Sequence, residues 1–136
     1  MMEKLTIGTF VVDEPQVLSE VTAQCDRYET ALMDNDLDTL DGLFCDSPVT
    51  LRYGVGENLY GIEAIRGFRK GRSGGSPKRV VTRREITCFG DSVALCNLEF
   101  KRENAAVVGR QSQTWLRTDA GWRIVSAHVS LMAATS

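Results

Sequence analysis

Apolar residues recur at steps of three and four through Val17, Leu18, Val21, Cys25, Tyr28 and Leu32. That spacing predicts a helix with these side chains along one stripe, and it puts Tyr28 on the buried face near the C-terminal end. Asp13, Glu14 and Pro15 supply the start, with acids in the first turn and proline at an early position, and the pattern runs to about Met33. Asp36 then caps a short second helix carrying Leu37, Leu40, Leu43 and Phe44. From Pro48 the signal changes to β-branched residues and turn chemistry. Val49 to Tyr53 reads as a strand, Gly54 to Gly56 as a turn and Asn58 to Tyr60 as the partner strand. Ile62, Ile65 and Phe68 give a third helix over Gly61 to Arg69, followed by the loop Gly71 to Pro77. Four long strands complete the chain, at about Arg79 to Phe89, Ser92 to Phe100, Ala105 to Arg117 and Trp122 to Met132. Their turns fall at Gly90-Asp91, Lys101 to Asn104 and Thr118 to Gly121. The order ααββαββββ implies an α+β fold, a curved antiparallel sheet wrapped around N-terminal helices with a cavity at the open end.

Composition narrows the function classes. The 136 residues, 43% hydrophobic and 25% charged, suit one globular domain. No uncharged apolar run approaches the roughly 18 residues that cross a bilayer. The N-terminal stretch has only Lys4 as a positive flank and is crowded by Glu3, Asp13 and Glu14, which argues against a signal peptide and for a cytoplasmic protein. Cys25, Cys45, Cys88 and Cys96 form no C-x-x-C pair and have one histidine to join them, so they read as reduced thiols and no metal site is expected.

The net charge of −2 hides an asymmetry. Residues 1 to 49 carry eleven acids against Lys4 and Arg27, whereas half of the sixteen positive charges lie between Arg66 and Arg84. This basic run holds one aromatic residue, Phe68, and the sequence pI is about 5.4, so nucleic acid is not the expected partner. A solvated rim or a mouth that attracts small anions remains, with Arg69 as a candidate substrate contact.

Several polar residues sit where apolar ones are expected. If the Thr118 to Gly121 turn carries no bulge, Arg117 faces Trp122, Gln113 faces Ser126 and Gln111 faces His128. All then share the inward face of Trp115 and Ile124, with Ser130 following by the period of two. Gln111, Gln113, Ser126 and Ser130 are accordingly candidate substrate contacts, and His128, the only histidine, a candidate acid or base. Arg52 sits in a short strand beside Tyr53, itself a candidate contact. An inward arginine needs either an anionic ligand or a structural acid such as Glu57 or Glu29. The chain has no G-x-S-x-G, Ser-x-x-Lys, Walker or H-E-x-x-H motif. Its chemistry rests on tyrosine, arginine, histidine, amides and water, with no cofactor expected.

The stretch RYETALMDNDLDTLDGLF, followed by a hairpin, a helix and four strands ending in GWRIVSAHVS, resembles the cystatin-like cone superfamily of ketosteroid isomerases, SnoaL-type cyclases and nuclear transport factor. Within it, LRYGVGENLYGIEAIRGFR and GRQSQTWLRTDAGWRIVSAHVS resemble the AtzH-like (HpxZ-like) group. Tyr28 falls where the isomerases carry their oxyanion-binding tyrosine, but Arg52 falls where they carry the proton-abstracting aspartate. The resemblance therefore implies a pocket that receives an anion, with Tyr28 and Arg52 at its focus. It further implies a small enzyme of urea and s-triazine catabolism that hydrolyses or decarboxylates a carboxylated urea such as 1,3-dicarboxyurea. The alternative is a ligand-binding or accessory protein serving a neighbouring amidase. Outward apolar residues Leu95, Val108 and Leu116 lead us to expect a homodimer.

Overall fold

The computed structural model describes residues 4–103 and 105–133. A two-stranded ribbon, β1 (Thr6–Ile7) and β2 (Phe10–Val11), comes first; strands of two residues leave no periodic trace, and the sequence pattern does not reveal them. α1 spans Pro15–Asp34. Glu14 caps it rather than lying in its first turn, its carboxylate accepting from the Val17 N–H at 3.1 Å. Asn35 ends it in the left-handed conformation at φ 54°, a backbone that asparagine tolerates well. α2 (Leu37–Leu43) is capped by Asp36, which accepts from the Thr39 N–H at 3.2 Å and from its hydroxyl at 2.6 Å.

β3 (Leu51–Tyr53) and β4 (Asn58–Tyr60) form the short hairpin, and α3 spans Ile62–Gly71. The long strands are β5 (Arg79–Phe89), β6 (Val93–Arg102), β7 (Val108–Thr118) and β8 (Gly121–Leu131). Of the expected Lys101 to Asn104 turn, Lys101 and Arg102 extend β6, and Asn104 lies outside the described residues. The six-stranded sheet has the order β4-β3-β8-β7-β6-β5. It is antiparallel except at one junction: β3 runs parallel to β8, with Arg52 level with Ala127 and Tyr53 level with His128. The fold is α+β, helices followed by a curved sheet. Val21, Leu40, Leu43, Phe44 and Ile65 from the helical side meet Trp115 and Ile124 from the sheet, and all are fully buried.

The β7–β8 register departs from the bulge-free expectation. Arg117 faces Trp122 and Trp115 faces Ile124, but the next pair is Thr114 with Ser126. Val125 is an extra residue in β8, and beyond it every side chain changes face. Gln113 therefore faces Ala127 and Gln111 faces Val129, while Ser112 faces His128. The bulge lies where the chain leaving α2 meets the sheet, with the Cys45 N–H donating to the Ile124 carbonyl at 2.8 Å.

Candidate functional site

Seven elements, α1, α3, β3 and the four long strands, converge on one cavity of about 300 Å³. The apolar stripe of α1 brings Tyr28 to its wall, 3% exposed, with the ring edge-on to Phe44 at 6.3 Å. The parallel junction with β8 turns Arg52 to the same face as Ala127 and Val129, hence inward. Arg72 follows α3, Arg79 opens β5 and Gln111 comes from β7. Gly75, Ser76 and Pro77 of the expected loop form part of the rim.

The lining is strongly cationic, because Arg52, Arg72, Arg79 and Arg102 all border the cavity, and Arg69 lies buried behind it. Three of these are partly neutralised. Arg79 binds Glu29 through two bonds, Nε to Oε2 at 2.9 Å and Nη2 to Oε1 at 2.7 Å, the bidentate geometry that makes such pairs strong. Arg52 donates from Nη1 to Glu57 Oε1 at 2.9 Å, and Glu57 Oε2 accepts from the Gly56 N–H at 3.2 Å. Arg52 Nε is buried without a hydrogen-bond partner among the described residues. Arg69 lies 3.6 Å from Asp41, and its guanidinium sits 5.2 Å above the Phe44 ring. Arg72 stacks on Phe68 at 4.6 Å; burial and repulsion from Arg52 hold it below the ordinary arginine value.

These cations govern Tyr28. Burial alone would raise the phenol, but attraction from Arg69 and then Arg52, with help from Arg79, outweighs it and leaves Tyr28 below the usual tyrosine value. The hydroxyl is thus a better proton donor than a free tyrosine. A buried anion-seeking pocket with an acidified phenol at its centre can hold a carboxylate and stabilise negative charge developing on a nearby oxygen.

Tyr28, Arg52, Gln111 and Gln113 project inward as expected, and Arg69 is buried against the site. The other expected contacts do not join them. Ser126, His128 and Ser130 follow the Val125 bulge and lie on the outer sheet face, His128 being exposed. Tyr53 is level with His128 across the parallel junction and stacks edge-on to it at 5.5 Å, its hydroxyl 3.2 Å from that of Tyr60. Glu85 is level with Asn97 and through it with Ser112, and Glu99 lies between Arg83 and Arg110, so both carboxylates belong to this outer face. Arg72, Arg79 and Arg102 border the cavity without having been expected there, and Glu57 was expected only as a structural acid. The signal for Glu57 is its place just beyond the Gly54 to Gly56 turn, which folds it back beside Arg52. Among the described residues, no group of three His, Cys, Asp or Glu side chains could hold a metal.

A second cavity of about 460 Å³ adjoins the first, sharing Tyr28 and Gln111 with it and adding Cys25, Arg84, Cys96 and Gln113.

A family model described as AtzH-like matches residues 10–135, and no curated protein matches the chain. Among solved structures, the chain is similar to a protein of unknown function from the DUF3225 family of Pectobacterium atrosepticum, at 48% identity and TM-score 0.87, over 90% of this chain and 95% of that one. It is also similar to a cystatin-like fold protein from Burkholderia xenovorans, at 40% identity and TM-score 0.88, over 93% and 99% of the two chains. A nuclear transport factor 2-like protein from Salmonella enterica shares the fold at 24% identity and TM-score 0.71, over 89% and 94%.

Proposed function

The chain belongs to the AtzH-like family, and on that premise we propose that it is a cofactor-free enzyme acting on a short carboxylated urea such as 1,3-dicarboxyurea, by amide hydrolysis or decarboxylation. The observation that carries this reading is the buried Tyr28 hydroxyl in the field of Arg69 and Arg52, beside an Arg52 whose Nε has no protein partner among the described residues. Arg52 grips one carboxylate of the substrate. Tyr28 donates to the urea carbonyl oxygen while the bond from nitrogen to the departing carboxyl carbon breaks. The electron pair remains on nitrogen, delocalises onto that carbonyl, and the nitrogen then takes a proton from water as carbon dioxide leaves. This route needs neither nucleophile nor base. Hydrolysis needs an activated water, and the carboxylate at hand, Glu57, already has one oxygen on Arg52 and the other on the Gly56 N–H. The pocket therefore favours the decarboxylating route.

A second reading is a binding or accessory protein for a neighbouring amidase. It gains from the position of His128, since the outward imidazole removes the expected acid–base group. The same proposal makes the protein a cytoplasmic homodimer that joins copies through the outer sheet face, where Leu95, Val108 and Leu116 are only half-buried. Light scattering at micromolar concentration tests the dimer, and a monomer mass of 15.0 kDa refutes it. Turnover separates the two functional readings: an enzyme consumes freshly prepared carboxylated urea faster than buffer does, whereas an accessory protein binds it and leaves it unchanged.

A further inference from the structure

The second cavity carries its own recognition chemistry. Gln111 and Gln113 are 3% and 2% exposed, yet the Nε2 of each is buried without a hydrogen-bond partner among the described residues. A buried donor left unpaired costs about 1–3 kcal/mol, so two of them on neighbouring inward positions of β7 point to a bound group that accepts from them. The orientation of Gln113 is set by Trp115. The indole Nε1, fully buried, donates to Gln113 Oε1 at 3.1 Å. This fixes which end of the amide is the oxygen and leaves the NH₂ as the end without a partner, so that point calls for an acceptor. The charged groups nearby are already paired: Arg84 binds Asp26 at 2.7 Å and Glu29 is held by Arg79.

Resting on the anion pocket proposed above, we infer that Gln111 and Gln113 are specificity-determining residues that bind an oxygen acceptor at the far end of the ligand, with Trp115 as the positioning residue for Gln113. The ligand is then a short molecule with a carboxylate on Arg52 and, past Tyr28 and Gln111, a carbonyl or carboxylate oxygen in the second cavity. An aliphatic carboxylate of equal length fills the space but leaves both amides unsatisfied.

Calorimetric titration with N-carbamoylglycine and with pentanoate, of similar length but without the acceptor, tests this. Wild type is expected to bind N-carbamoylglycine at least about tenfold more tightly, the cost of leaving a buried donor unpaired. Gln113→Leu is expected to bring that ratio close to one while keeping pentanoate affinity, and Arg52→Ala to weaken both ligands. Should Gln113→Leu fail to fold, Gln113→Glu keeps the oxygen that accepts from Trp115 and removes the donor, and the ratio is expected to fall there too. Equal binding of the two ligands by wild type overturns the inference, as does a preference that is undiminished in Gln113→Leu. If wild type binds neither carboxylate, the anion pocket itself is refuted, an outcome distinct from loss of the preference alone.

Discussion

Glu57 Oε1 lies 2.9 Å from Arg52 Nη1, so a carboxylate of the protein already engages one arm of the guanidinium at the focus of the pocket. The β3–β4 turn makes this contact possible, because a Cβ on Gly54 would stand 1.8 Å from Glu57 Oε1 and 3.0 Å from Arg52 Nη1. Glu57→Gln retains an oxygen acceptor for Arg52 but removes the competing charge, and Gly54→Ala displaces the side chain. Both are expected to strengthen binding of a short carboxylate by about threefold to fivefold, the scale of one partly exposed ion pair. Arg52→Lys, which cannot reproduce the planar fork, is expected to weaken it by about tenfold or more. Calorimetry on the three variants checks the order; weaker binding in Glu57→Gln would show that the carboxylate orients Arg52 rather than competing with the ligand.

Tyr28 and Tyr60 are expected to titrate apart. Tyr28 lies below its usual value of 10.0 through Arg69 and Arg52, acting against burial, whereas the hydrogen bond with Tyr53 raises Tyr60 above it. Phenolate absorbance against pH should thus show an early phase that Tyr28→Phe removes and that loss of Arg69 moves upward. The sign for stability follows from linkage. A phenol depressed in the folded state contributes fully above the unfolded value of 10.0, and that contribution disappears as pH falls through the folded pKa. Wild type should therefore gain stability relative to Tyr28→Phe as pH rises through that window, which denaturant titrations at several pH values will reveal.

His128→Ala is expected to leave turnover within about twofold of wild type, because the imidazole sits on the outer face with Tyr53 and Ser112 and a surface change away from the site has small effect. A steady-state comparison is sufficient, and a loss of an order of magnitude or more would return the histidine to the mechanism.

Gly109 lies against Phe100, where an added Cβ would come within 2.2 Å of the ring. Both residues are buried, so the ring has little room to give way. Gly109→Ala is expected to destabilise the fold by about 1–3 kcal/mol, as overpacking does, and thermal unfolding measures it.

The helices were legible because their signals are local: the α1 stripe, the Asp36 cap and the Ile62–Ile65–Phe68 spacing each lie within a few turns. The long strands were legible for the same reason. What failed in β8 was a single residue of register. Val125 changes the face of everything after it, and the alternation assumed for β8 carried Ser126, His128 and Ser130 to the wrong side. A trace of the bulge does exist in the sequence. The apolar phase is set by Trp122 and Ile124 before Val125 and by Ala127, Val129 and Leu131 after it, and the two sets differ by one position. Arg52 faces inward, as its strand position suggested, whereas the place of Arg102 on the cavity wall was not legible, because it depends on the sheet curvature that sets the end of β6 on the same cavity as the residues after α3.

The most direct test is a carbon-13 NMR time course of freshly prepared, carboxyl-labelled 1,3-dicarboxyurea with wild type, Arg52→Ala and Tyr28→Phe at equal concentration. Breakdown well above the spontaneous rate is expected in wild type, with its loss in Arg52→Ala and a fall of about 10² to 10³ in turnover for Tyr28→Phe, the effect of removing one well-placed donor. Breakdown by wild type no faster than in buffer, or equal in all three folded proteins, would contradict the proposed activity.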